Sequence, residues 1–164
     1  PDACVSHPSA ISIKLAPSNR RSRLTATSPL FLNCGRSRTG TNWGYQYLGK
    51  KIYEESIDEM KHADRLIERV LFLDGLPNLQ RLGRIAVGET VVEILTSDLA
   101  LETGSVTRLN KGIQTCRDAG DNGSEDLLTR ILVDSEKHVD WLESQLELMR
   151  QAGEQNYLAQ QIRS

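Results

Sequence analysis

The sequence predicts an all-α chain. Three long stretches carry apolar residues at the 3.6-residue period of a helix, each ends in a glycine- or proline-containing turn, and no run alternates apolar with polar as a strand does. With 164 residues, 38% hydrophobic and 26% charged, the chain suits one domain with a single core. Its net charge of −2 points to no nucleic-acid partner, but the charge is unevenly spread. Residues 1–53 hold eight Lys/Arg and one acid, whereas residues 54–164 hold twelve Lys/Arg and twenty-one acids. Two regions of different character have been joined. Cys4, Cys34 and Cys116 form no CxxC pair and leave one over, so neither a disulfide framework nor a zinc site is expected. A reducing, cytoplasmic setting follows as the simpler expectation. No apolar run approaches the roughly 18 residues that cross a bilayer, so no membrane role is expected.

Residues 1–42 are rich in Ser, Arg, Thr and Pro, and Pro8, Pro17 and Pro29 interrupt any helix. Few acids and many serines and arginines also mark an organelle transit peptide. The absence of an initiating Met and of an amphipathic arginine pattern favours instead a divergent, disordered or degenerate segment. From Trp43 onward the pattern is helical. The first helix is expected over 43–73, ended by Asp74-Gly-Leu-Pro77, with Gly75 supplying the left-handed stop. Apolar residues spread through 75–89 suggest a crossover packed along a bundle. A second helix is expected over 90–119, with Gly104 and Gly112 weakening its middle, and Ala119–Ser124 forms a turn. A third helix is expected over 124–151, and 154–163 suits a short terminal helix beyond Gly153.

Each long helix has ionisable residues set into its apolar stripe. In the first, the stripe reads Leu48, Ile52, Glu55, Glu59, His62, Leu66, Arg69 and Leu73. Glu59 and His62, three apart, share a face and can reach one ion. Glu102 interrupts the stripe of the second helix and His138 that of the third. Singly, each suits a satisfied core histidine or a solvent-edge carboxylate. Four at similar depth on three helices point to a metal, because buried charge is costly unless paired or metal-bound. Carboxylate and imidazole donors suit iron, manganese or zinc.

Several longer runs carry a resemblance. Asn42-Trp-Gly44, Glu55-Ser-Ile-Asp-Glu-Met-Lys-His-Ala-Asp64, Leu71-Phe-Leu-Asp-Gly-Leu-Pro-Asn-Leu-Gln80, Ser97-Asp-Leu-Ala-Leu-Glu102, His138-Val-Asp-Trp-Leu-Glu143 and Asn156-Tyr-Leu158 closely resemble the bacterioferritins, the haem-containing bacterial branch of the ferritins. The resemblance covers residues 43–164 and implies a ferritin-like four-helix bundle with a long crossover and a short fifth helix. It also implies two-fold dimers in a homo-oligomeric shell of twenty-four subunits. Such a shell oxidises Fe(II) with O₂ or peroxide and stores the ferric product. By resemblance, Glu59, His62, Glu102 and His138 are metal ligands and catalytic residues of a di-iron centre. Met60, about 100° around the helix from Glu59, is by resemblance the axial ligand of haem b held between two subunits. Glu54 and Asp58 form either an inner-surface iron relay or a solvated acidic face.

Two positions depart from the family pattern. Ser135 stands where a bridging Glu is expected, with Glu136 one residue along and about 100° away. Arg23-Leu-Thr-Ala26 with Phe31-Leu32 resembles the family's first-helix pattern Glu-Leu-Thr-Ala…Phe-Leu, so that Arg23 takes the place of the first Glu ligand. One iron position is then weakened or lost, and ferroxidase activity is expected to be impaired. The alternative is a catalytically inactive structural or haem-carrying subunit of a mixed shell.

Overall fold

The computed structural model describes residues 11–14, 23–26, 30–77 and 88–162. In chain order these are β1 (Ile11–Lys14), β2 (Arg23–Ala26), α1 (Leu30–Asn42), α2 (Gln46–Phe72), α3 (Val91–Asp118), α4 (Asn122–Ala152) and α5 (Glu154–Gln161). The ferritin-like bundle expected from the sequence is present, with α1–α4 as its four helices and α5 as the short fifth.

The core divides into two apolar clusters, and their membership sets helix direction. Leu48, Ile52, Val91, Ile94, Leu95, Leu142, Met149 and Tyr157 form one. Leu66, Leu109, Ile113, Cys116, Leu128 and Ile131 form the other. The starts of α2 and α3 therefore meet the end of α4, so α2 and α3 are parallel and α4 opposes both. The chain must return the length of the bundle between α2 and α3, which is why a long crossover is needed. The expected packing of 75–89 falls largely on residues 78–87, outside the described residues. Between the clusters lies a buried polar layer of Ser56, His62, Glu102, Ser135 and His138. That layer is where the candidate ligands sit.

Local chemistry accounts for the helix ends. At the start of α3 the Thr90 hydroxyl accepts from the Glu93 amide at 3.2 Å. At the start of α4 Asp121 accepts from the Ser124 amide at 3.1 Å and from Arg69 of α2 at 2.5 Å. One carboxylate thus caps α4 and ties α2 to it. The stop of α2 differs from expectation: the left-handed residue is Asp74 (φ 55°), while the Gly75 amide bonds back to the Val70 carbonyl at 2.8 Å. Asp tolerates this conformation through local side-chain bonding, so glycine is not required there. Despite Gly104 and Gly112, α3 runs uninterrupted from Val91 to Asp118.

The N-terminal region departs most from the expectation. Within 1–42, where no helix is expected, Leu30–Asn42 is helical and packs on the start of α2. Its first position follows Pro29, and proline is accepted at a helix start. The turn at Trp43–Tyr45 separates it from α2, so the helix expected over 43–73 begins at Gln46 instead. A Cβ on Gly49 would lie 2.4 Å from the Thr41 hydroxyl and 3.1 Å from the Ser37 carbonyl, so glycine allows the two backbones to approach. The Ser37 hydroxyl donates to the Gly49 carbonyl at 2.8 Å. In this antiparallel register Leu30 stands level with Ser56, so α1 starts about one turn short of Glu59.

Arg23–Ala26, which resembles the family's first-helix pattern, is instead a strand. It pairs antiparallel with Ile11–Lys14 in the register Ile11↔Ala26 to Lys14↔Arg23. The hairpin lies against α2 and α3, a small exception to the all-α expectation. The physical reason is local: prolines at 17 and 29 limit helix on either side, and Ile and Thr favour extended backbone. Readings that fall on residues 1–10, 15–22 and 27–29 lie outside the described residues. Near the loops of the bundle, Arg36 of α1 is fully buried and ion-paired with Asp98 of α3, which pins α1 across the bundle.

Candidate metal centre

The polar layer is built from three helices. Glu55, Glu59 and His62 lie on one face of α2, Glu102 comes from α3, and Asp134, Ser135 and His138 come from α4. The predicted ligands fall into two imidazole–carboxylate groups. His62 Nδ1 is 3.3 Å from Glu59 Oε1. His138 Nδ1 is 3.5 Å from Glu102 Oε1. Sequence reasoning did not select two further carboxylates that complete these groups. Glu55 Oε2 is 3.8 Å from His138 Nδ1, and Asp134 Oδ2 is 3.4 Å from His62 Nε2.

Two signals could have found them. Glu55 is on the same helical stripe as Glu59. Asp134 is one residue before Ser135, but the His62 ring spans the gap and meets a side chain that periodicity alone turns away. Ser135 is buried at its expected depth and carries no charge, whereas Glu136 is exposed, as its helical position requires. Glu54 and Asp58 are both exposed, and Asp58 accepts from Lys61 at 2.7 Å.

The electrostatics follow from burial and neighbours. Burial pushes the His62 imidazole down, but the hydrogen-bonded carboxylates of Glu59 and Asp134 outweigh it and raise the pKa above the ordinary histidine value. For His138 burial again opposes charge, and Glu102, Glu55 and Glu59 together raise it. Both shifts favour the imidazolium form more than in a free histidine. A metal at either would displace a proton, so its binding tightens as pH rises.

A cleft of about 350 Å³ opens onto this layer between α2 and α4. Glu59, His62, Ser135 and His138 line it, and Lys51 and Trp141 stand at its wall. Lys51 Nζ donates to Glu55 Oε1 at 2.5 Å and lies 5.6 Å from the centre of the Trp141 ring. The Trp141 ring is in turn 6.1 Å from His138. Within the layer Glu102 Oε2 has no hydrogen-bond partner, although the partly buried Arg108 guanidinium lies within electrostatic reach of that carboxylate. Leaving a buried carboxylate oxygen unpaired is costly, and a cation is the kind of ligand that relieves it. Among the described residues no three His, Cys, Asp or Glu are drawn together tightly enough to hold a metal as they stand.

Met60 is on a different face from these groups. Its side chain is 37% exposed, on the outer side of α2, in line with the half-exposed Tyr53 and Leu71. No helix among the described residues is long and apolar enough to cross a membrane.

Comparison with known proteins matches residues 37–152 to the ferritin-like domain family. A bacterioferritin of Mycobacterium leprae is 46% identical over 139 residues, covering 85% of this chain and 86% of that protein. Bacterioferritin BfrA of Mycobacterium tuberculosis is 45% identical over the same shares. A bacterioferritin of Streptomyces coelicolor is 40% identical, covering 83% of this chain and 80% of that protein.

Proposed function

Because this chain belongs to the bacterioferritin branch of the ferritin family, we propose that it is an iron-storage subunit that takes up Fe(II), oxidises it and passes Fe(III) to the interior of a shell. The observation that carries this reading is the pair of imidazole–carboxylate groups at mid-bundle, beside a buried carboxylate oxygen without a partner. Fe(II) is the substrate. Glu59, His62, Glu102 and His138 would hold it, and the imidazolium protons would leave as it binds. Each Fe(II) gives up one electron to O₂ or peroxide, and the surrounding carboxylates favour the more highly charged product. The cleft beside Ser135 leaves room for the oxidant and water.

Met60 would hold haem b against the same residue of a second copy, and the group would supply an electron-transfer centre at the subunit boundary. The exposed thioether, on the same outer stripe of α2 as Tyr53 and Leu71, supports that assignment. The reading implies two-fold dimers within a twenty-four-subunit shell. It places the work in the cytoplasm, a setting that suits the free, buried thiol of Cys116.

The test is addition of Fe(II) in air, with near-ultraviolet absorbance followed against buffer. The expected result is oxidation faster than in buffer, lost in His138→Ala. Oxidation no faster than in buffer would sink the ferroxidase reading. It would leave the second reading, a structural or haem-carrying subunit of a mixed shell. That alternative is favoured by the buried hydroxyl of Ser135 at the bridging position and by the strand at Arg23.

A further inference from the structure

We propose that the open hollow between α1 and the start of α2 binds a phosphate-rich anion, held by Arg38 from one helix and Lys50 from the other. The site is separate from the polar layer and does not rest on the iron reading.

The first observation is a local excess of positive charge. Residues 30–53 contain Arg36, Arg38, Lys50 and Lys51 but no Asp or Glu. Two of these cations find a carboxylate elsewhere, Arg36 at Asp98 and Lys51 at Glu55. Arg38 and Lys50 are exposed and have no carboxylate partner among the described residues. Lys61, Arg117 and Arg150 show the ordinary arrangement, each paired with a nearby acid. The second observation is shape. Both cations line one hollow of about 830 Å³, and no Asp or Glu among the described residues lines it. That size falls within the roughly 300–1,000 Å³ of small-ligand sites.

The register of the two helices sets the cations opposite each other. The Ser37 hydroxyl donates to the Gly49 carbonyl at 2.8 Å. Arg38 follows Ser37 and Lys50 follows Gly49, so the two stand at one level across the seam. Like charges placed in this way repel, and an anion between them turns the repulsion into attraction. Neutral donors are at hand, because the exposed amide side chains of Asn42 and Gln46 line the same hollow towards the turn at Trp43–Tyr45. Tyr53 marks the other end, so most of the hollow lies beyond the line of Tyr53, Met60 and Leu71. A planar guanidinium, an ammonium and amide donors match the many acceptor oxygens of phosphate better than the two of a carboxylate. The volume admits more than one phosphate group, so the ligand class is a diphosphate or triphosphate, free or carried by a nucleoside.

The experiment is calorimetric titration of the full-length protein at low salt, without added metal, with pyrophosphate and with ADP. The expected result is saturable binding of pyrophosphate that weakens as sodium chloride is raised. Arg38→Gln and Lys50→Gln are each expected to weaken it roughly fivefold, with helicity by circular dichroism retained. Arg130→Gln, which removes an exposed cation paired with Asp126, is expected to leave it unchanged. ADP binding tighter than pyrophosphate identifies a nucleotide as the ligand, and ADP binding no tighter identifies free phosphates; either result supports the site. No saturable binding of either anion would overturn the proposal. So would an equal loss in Arg130→Gln, which marks diffuse surface charge. So would a shift of the double variant Arg38→Gln with Lys50→Gln to a smaller assembly that still binds pyrophosphate, which assigns the two cations to acids of a second copy. The iron reading stands in each case.

Discussion

At position 135 the bundle carries a buried hydroxyl beside the cleft of about 350 Å³, so this single residue controls how much negative charge the layer holds. Ser135→Glu should raise the amount of Co(II) or Fe(II) bound per chain, measured by titration. The metal-free form should lose roughly 1–3 kcal/mol in urea, because a carboxylate is placed where little water reaches it. Midway along α1, the buried Arg36–Asp98 pair sets a different test. Burial lowers the Arg36 pKa, and the Asp98 carboxylate offsets the cost of holding that charge away from water. Arg36→Ala should destabilise by about 3–5 kcal/mol, whereas the double change Arg36→Met with Asp98→Leu should come close to neutral. Equal losses in the two variants would show that packing, not charge pairing, is what Arg36 contributes. The residue scale also shows what a linear reading sees. Glu59, His62, Glu102 and His138 stood out because each interrupts an apolar stripe. Glu55 stands on that stripe too, but its role depends on the reach of His138 from α4, and no period in α2 encodes that distance.

Between α2 and α4 the element-level link is the Asp121 carboxylate, which caps one helix and pairs with Arg69 of the other. Burial raises its pKa, but the hydrogen bonds from Ser124 and Arg69 overcome this and bring it below the ordinary 3.8. Because the folded value is depressed, the stabilisation is complete above the unfolded pKa and is lost as pH falls through the folded one. Asp121→Asn should therefore differ most from the unaltered protein at neutral pH. The gap, roughly 0.5–1 kcal/mol from the lost charge pairing with Arg69 since Asn caps as well as Asp, should close as pH drops below about 4 in urea titrations. A gap that stays constant to pH 2 would exclude the ionised carboxylate as its source. Helix existence and type were readable for α3, α4 and α5, since long periodic runs are bounded by Thr90, Asp121 and Gly153. The short α1 was not readable, because its sequence, Leu30–Asn42, has almost no amphipathic pattern. What holds it helical is tertiary: the buried pair through Arg36 and the close backbone approach at Gly49. Gly49→Ala should cost about 1–3 kcal/mol by overpacking, read in the same denaturation.

For the whole molecule, the exposed line of Tyr53, Met60 and Leu71 on the outside of α2 is what a lone chain would leave facing water. In the proposed shell a second copy covers it. The 18.3 kDa chain should accordingly sediment as a far larger assembly. Leu71→Glu should shift it towards the single chain, and Met60→Leu should remove haem absorbance without that shift. Sedimentation of unaltered protein as a single chain would contradict the shell. The sequence by itself determined the family, the helical bundle and the depth of the four ligand candidates, because helical period and burial are local properties repeated along each segment. Only the tertiary structure decided which carboxylate faces which imidazole, that a strand stands at Arg23 in place of a ligand-bearing helix, and that Glu55 and Asp134 join the polar layer. Those outcomes depend on side chains from separate helices meeting across about 3–4 Å, the hydrogen-bonding and ion-pairing range. A one-dimensional pattern carries no measure of that distance.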